Sequence, residues 1–185
     1  MGFLFWKKEK KFGFTPVKNL VKADINGSIA TSRIFKYRFT LPAGCQFKDV
    51  TEFNNTNYKE KNVSFLDMQA VCADYHIGVI VVILDGTGLV KEWSEREDMV
   101  VNAMLQKTFM DFDPEKLESK EFMGLPCRHY KGILNRTFAD GKRRYQEQYE
   151  YCAPFGTVNF NVSCWEGFED KLPDVFSYFK PSTED

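Results

Sequence analysis

Arg143-Arg144-Tyr145-Gln146-Glu147-Gln148-Tyr149-Glu150-Tyr151-Cys152-Ala153-Pro154-Phe155-Gly156-Thr157-Val158-Asn159-Phe160-Asn161-Val162-Ser163-Cys164-Trp165 is the stretch that decides the fold. Tyr145, Glu147, Tyr149 and Tyr151 alternate with Arg144, Gln146, Gln148 and Glu150. Beyond the turn, Val158, Phe160, Val162 and Cys164 alternate with Thr157, Asn159, Asn161 and Ser163. A hairpin folded about Pro154-Phe155 puts Tyr151 opposite Val158, Tyr149 opposite Phe160 and Tyr145 opposite Cys164. Its other face pairs Glu150 with Asn159 and Gln148 with Asn161. Period-two alternation with one apolar face is what a half-buried antiparallel ribbon needs, and a one-residue slip would expose every apolar group.

Working outward, the apolar-rich segment near Phe168–Phe179 is expected to be a helix covering the buried face. Ile77–Leu84 is almost continuous Ile, Val and Leu, the composition of a central strand covered on both faces. Asp74-Tyr75-His76 before it reads as a hairpin turn. Further upstream, Phe35, Tyr37, Phe39 and Leu41 alternate with polar residues in a strand stopped by Pro42 and Gly44. Gln46–Lys61 reads mostly as loop, and residues 63–73 suit strand or helix. Ser94-Glu95-Arg96-Glu97 is a capping box opening a helix over Glu95–Phe109, with a stripe of Val101, Met104, Leu105, Thr108, Phe109 and Phe112 that Pro114 ends. Lys116–Phe122 and His129–Leu134 follow as strands joined at Gly124-Leu125-Pro126. The expected fold class is α+β: a twisted antiparallel β-sheet flanked by helices, an α/β/α sandwich. Residues 1–26 read as a basic aromatic N-terminal appendage and 27–185 as a single α+β domain.

Composition excludes more than it assigns. A chain of 185 residues with 43% hydrophobic residues can bury a core without metals, and its net charge of −1 offers nucleic acid no global attraction. Charge is unevenly placed: the first 22 residues hold six lysines and one acid, Glu9. The longest apolar run, Ile77–Leu84, is too short to span a bilayer. Met1–Lys11 does not have the order of a secretory signal, because its apolar residues precede its lysines. The five cysteines, Cys45, Cys72, Cys127, Cys152 and Cys164, never stand in a Cys-x-x-Cys spacing. Reduced thiols, no disulfide and a cytoplasmic setting are therefore expected.

Candidate chemistry is sparse. Val82-Ile83-Leu84-Asp85-Gly86-Thr87 resembles a phosphatase motif, but Ile83 stands where the carboxylate nucleophile would have to be. Asp111-Phe112-Asp113-Pro114-Glu115 offers acids interrupted by Pro114, unlike a calcium loop. Cys127 and His129 share a strand face, and small half-buried residues explain both better than a thiolate–imidazole pair does. His76 and His129 have no cysteines at zinc-ligand spacing, so no metal and no cofactor are expected. Asp67, His76 and Glu147 are scattered groups that match no catalytic motif. The unusual segment is Phe3-Leu4-Phe5-Trp6-Lys7-Lys8, whose bulky apolar groups beside lysines suit a protein groove or an anionic membrane surface.

The order of elements, with Phe39-Thr40-Leu41-Pro42-Ala43-Gly44 after an early strand and Gly124-Leu125-Pro126 before the final meander, resembles the PsbP/Mog-type α/β/α sandwich superfamily. That superfamily includes bacterial DcrB-like members. Spaced aromatics Phe168, Phe176, Tyr178 and Phe179 fit its last helix, and the resemblance covers Ile34 to Lys180. It implies a non-enzymatic binding or scaffold domain and brings no catalytic residues. The expected role is therefore a protein-interaction domain with another protein as partner and no nucleic acid. The alternatives are a small-molecule or lipid-binding domain with an apolar pocket between sheet and helix, or a chaperone for apolar segments.

Overall fold

The structure is a computed structural model that describes residues 20–60, 64–85, 105–110, 112–113, 118–136, 138, 141–153 and 156–182. Its centre is the hairpin formed by β9 (Arg144–Ala153) and β10 (Gly156–Trp165). The register is the one the alternation requires, with Tyr151 opposite Val158, Tyr149 opposite Phe160, Tyr145 opposite Cys164, Glu150 opposite Asn159 and Gln148 opposite Asn161. Val158, Phe160, Val162 and Cys164 are fully buried, as the apolar face demands.

Around this hairpin a seven-stranded antiparallel sheet assembles in the order β4-β5-β6-β10-β9-β8-β7. Its other strands are β4 (Cys45–Phe47), β5 (Phe65–Cys72), β6 (Gly78–Asp85), β7 (Glu118–Phe122) and β8 (Leu125–Ile133). Of residues 63–73, open between strand and helix from sequence, Phe65–Cys72 are strand. The Ile77–Leu84 run is central, with β5 on one side and β10 on the other.

The layer over the buried face departs from expectation. It is largely a second sheet of four strands, in the order β1-β2-β3-β11, built from β1 (Asp24–Asn26), β2 (Ile29–Thr31), β3 (Tyr37–Thr40) and β11 (Phe179–Pro181). Asp24–Asn26, read from sequence as the end of an appendage, therefore pairs with β2. The closing helix is short. A 3₁₀ turn at Glu169–Lys171 leads into a helix at Leu172–Phe176, which buries Leu172, Val175 and Phe176. It stops because the Ser177 amide and hydroxyl both cap the Asp174 carbonyl, and Phe179 then pairs with Phe39 in the second sheet. Gln46–Lys61, read mostly as loop, holds β4, one helical turn at Thr51–Phe53 and a π-helical stretch at Asn54–Glu60.

Between the sheets lies an aromatic core. The ring of Phe160 stands 5.5 Å from Tyr37, 5.3 Å from Phe122 and 5.4 Å from Phe179, centroid to centroid. These tilted and edge-on contacts suit the ring quadrupoles. The opposite face of the large sheet carries a smaller cluster of Leu105, Phe109, Tyr130 and Leu134. Residues 105–108 are helical, which is the end of the expected Glu95–Phe109 helix; the remainder of that helix and its capping box lie outside the described residues. Gly132 makes room for Phe109, since a Cβ there would meet the Phe109 ring at 3.2 Å.

The cysteine expectation is corrected. Cys45 and Cys72 form a disulfide across β4 and β5. They are direct partners in the ladder, with Cα atoms 3.9 Å apart, so pairing in space accomplishes what a sequence separation of 27 conceals. Cys127 and Cys164 are buried free thiols. Alkylating denatured, unreduced protein and mapping the products should leave Cys45 and Cys72 unlabelled while Cys127 and Cys164 react. Label on Cys45 and Cys72 would dismiss the bridge.

Candidate functional site: a cavity on the polar face

The alternation that buries one face of β9 and β10 sets amides and hydroxyls on the other. Across six strands one row runs Gln46, Val71, Gly78, Ser163, Gln146 and Gly132, each the ladder partner of the next. The row beside it runs Gln69, Ile80, Asn161, Gln148 and Tyr130. Over these rows lies a cavity of about 440 Å³ whose walls include Gln46, Gln69, Ile80, Gln146 and Ser163. Gly78 keeps its floor low, because a Cβ there would stand 3.3 Å from Ser163 Oγ and 3.6 Å from an Arg144 nitrogen.

The floor is held rigid by hydrogen bonds. Gln146 Nε2 donates to Asn161 Oδ1 and Gln148 Oε1, each at 3.2 Å. Gln148 Nε2 donates to Asn159 Oδ1 at 2.8 Å and to Tyr130 Oη at 2.6 Å, and Tyr130 Oη donates to Glu150 Oε2 at 2.8 Å. Burial pushes the Glu150 carboxyl above its ordinary value, against the opposing Tyr130 hydrogen bond and Arg128 charge. This chain of fixed donors and acceptors orients Gln146, the member of the network that borders the cavity.

The rim comes from two connections. One is the β5–β6 turn, Asp74–His76, in which Tyr75 and His76 adopt φ of 57° and 48°. Left-handed backbone costs non-glycine residues roughly 1–2 kcal/mol each, so neighbours must hold it. His76 stacks on Trp165 at 3.7 Å, Tyr75 packs on Phe168 at 4.8 Å, and an Arg144 nitrogen donates to the His76 carbonyl. The other connection, between β8 and β9, supplies Leu134, Arg136 and Phe138 to the wall. The Arg136 guanidinium carbon lies 4.6 Å from the Phe138 ring centroid and that of Arg144 lies 5.5 Å from it. Lys142 Nζ stands 3.4 Å over the Trp165 ring. No carboxylate is among the described wall residues; Asp74 reaches the rim near Gly44.

Other ionisable groups stand apart from this cavity. Buried His129 sets Nε2 2.6 Å from Glu147 Oε1 and Nδ1 3.4 Å from Glu118 Oε2, on the opposite face of the sheet. Lys120 and, more weakly, His129 hold the Glu118 carboxyl below its ordinary value. Its ring nitrogens thus address glutamates rather than Cys127, whose thiol burial pushes up to about 11, far from a neutral-pH thiolate. Asp67 occupies the bulge between Leu66 and Met68, which turns this extra residue toward the second sheet. Its carboxyl is buried beside Ser32, Tyr37 and the Ala23 amide, and burial raises it to about 6.

Of the sequence candidates, Phe3, Leu4, Phe5, Trp6, Lys7 and Lys8 lie outside the described residues, as does most of the Asp111–Glu115 run. Asp67, His76 and Glu147 are placed in three separate locations: between the sheets, at the cavity rim and against His129. Sequence reasoning missed Arg136, Phe138 and Arg144. The available signal was basic density around one turn, with Arg136, Lys142, Arg143 and Arg144 against Asp140.

No protein-family model matches the chain, and no curated protein matches it. Among solved structures it is similar to the solution structure of cyanobacterial PsbP (CyanoP) from Synechocystis sp. PCC 6803. Identity is 15% and the TM-score 0.43, over 90% of this chain and 99% of that one. It is also similar to a crystal structure from Bacteroides thetaiotaomicron VPI-5482, at 8% identity and a TM-score of 0.47 over 80% of this chain. The chain spans 46% of the length of that second protein.

Proposed function

We propose that the chain is a non-enzymatic binding domain that holds a small molecule in the cavity on the polar face of its seven-stranded sheet. One observation carries this reading: a 440 Å³ concavity in which the Gln146 amide is already oriented by a hydrogen-bonded network and whose rim includes a strained turn. Preset polar groups in a concave site are what ligand recognition uses, and strained backbone concentrates at such places. Binding rather than catalysis is favoured because His129, Glu147 and Asp67 are engaged away from the cavity, while the rim's His76 is stacked on Trp165 with no described carboxylate in the wall beside it. In this reading the cavity is mixed in polarity rather than the apolar pocket expected from sequence.

Leu105 and Phe109 over Gly132 and Leu134 support a helical layer on this face, and the Leu172–Phe176 helix one on the other, which would complete an α/β/α arrangement. The cytoplasmic reading rested on reduced cysteines. The Cys45–Cys72 bridge instead favours a compartment oxidising enough for it to persist.

The test is a fragment screen on ¹⁵N-labelled full chain, with small acids, amines, sugars and neutral aromatics. At least one class should shift the amides of Gly78, Gln146 and Ser163. Gly78→Val, which raises the floor, should abolish those shifts while leaving the dispersion of the spectrum intact. A screen that moves no amide around the cavity would end this reading.

A further inference from the structure

Resting on that reading, we infer that the ligand class is a small oxyanion, a phosphate ester or a carboxylate, bound through Arg136 and Arg144. Both guanidiniums gather at the Phe138 ring on one wall of the cavity. Arg136 is exposed and makes no ion pair among the described residues; its contact is the ring. An anion placed between two guanidiniums at one ring is attracted by both charges at once. Guanidinium forks match oxyanions in a way no other side chain does, because two parallel N–H groups meet two oxygens. Stacking on Phe138 also holds the planar groups in place, so little side-chain freedom is lost when the anion arrives.

The remaining wall suits such a ligand. Ser163 supplies a hydroxyl and Gln46 and Gln69 supply amide donors, with no carboxylate among the described wall residues to repel the guest. Lys142, held over Trp165, adds positive charge, since the Trp165 ring also stacks on His76 of the rim. Among the described rim residues the acid is Asp74, whose carboxylate reaches the Gly44 side of the cavity. A cavity of about 440 Å³ exceeds what a bare phosphate fills, so the oxyanion is expected to carry an organic group that occupies the space over Ile80 and Leu134.

The experiment titrates ¹⁵N-labelled full chain at fixed ionic strength with inorganic phosphate, glycerol 3-phosphate, citrate and uncharged glycerol. Saturable shifts at Gly78, Gln146 and Ser163 with the three anions, and none with glycerol, are expected. Glycerol 3-phosphate should bind more tightly than inorganic phosphate, which separates an esterified ligand from a free ion. Arg136→Gln, at an exposed position that leaves the core untouched, should weaken anion binding about tenfold, the loss of one charge-assisted contact. Equal binding of glycerol and the anions, or unchanged affinity in Arg136→Gln, would overturn the anion assignment and leave the binding reading in place. Shifts confined to amides outside the cavity would also overturn it. If the anions and the fragment screen both leave the cavity amides unmoved, the two inferences fall together.

Discussion

Phe160→Ala is expected to lower the unfolding free energy by about 3–5 kcal/mol, the cost of deleting a fully enclosed ring whose site cannot collapse. Phe160 is fully buried at the centre of β10 and meets Phe35, Tyr37, Phe122 and Phe179. These rings come from both sheets, so the cavity left behind would be bounded on two sides by elements that cannot move together. Asn161→Ala, one residue along and on the other face, removes the 3.2 Å hydrogen bond from Gln146 and the long 3.4 Å bond that Asn161 Nδ2 donates to the Asn159 carbonyl, and should cost about 1 kcal/mol. Urea denaturation with an unchanged slope reads both values. Equal losses in the two variants would mean that the buried and polar faces have been assigned wrongly.

Asp67→Asn should stabilise the protein at pH 8 by up to about 3 kcal/mol, and it should do nothing at pH 3. Burial between the sheets raises the Asp67 carboxyl from 3.8 to about 6 in the folded state. An acid whose folded pKa lies above its unfolded one binds its proton more tightly when folded. Stability is then highest below about pH 4, falls as pH rises toward about 6, and is flat above. Each pKa unit is worth 1.36 kcal/mol, which sets the size of the loss. Asn has the shape of the neutral acid and no charge to desolvate, so the variant should lack that slope. The difference between wild type and variant, taken at each pH, isolates Asp67 from other titrating groups such as Glu150. A difference that does not change between pH 3 and pH 8 would show that Asp67 is not a desolvated acid.

How far the sequence could be read follows from what kind of pattern each element left in it. The β9–β10 register was legible residue by residue because strict alternation admits a single solution: Tyr149 had to meet Phe160. Ile77–Leu84 was legible as a central strand because β-branched residues fill it end to end. The second sheet was not, since β1, β2 and β11 are three residues each, too short for alternation to accumulate. Phe168–Phe179 was read as one helix because its aromatics are spaced for either structure, and only tertiary pairing with β3 decides that Phe179 is strand. The bulge at Asp67 breaks alternation with one inserted residue, which from sequence looks like ambiguity between strand and helix. The candidate site was the least legible of all. Gln46, Gly78, Ser163 and Gln146 converge through the row of ladder partners across six strands, and no local motif records that.

The arrangement of the outermost strands has a further consequence, for how one molecule of this chain meets another. A sheet that ends in open backbone invites a second copy to add a strand. Here β4 is three residues long, and β7 presents exposed Glu118, Lys120 and Glu121. In the smaller sheet, β1 carries Asp24, and β11 ends in Lys180 and Pro181, a residue with no amide hydrogen to offer. Each of the four margins formed by described strands thus carries a brevity, a charge or a missing donor that discourages strand addition. In a protein so rich in Tyr, Phe and Val, these margins keep backbone pairing within the two sheets while the apolar face between them stays inside.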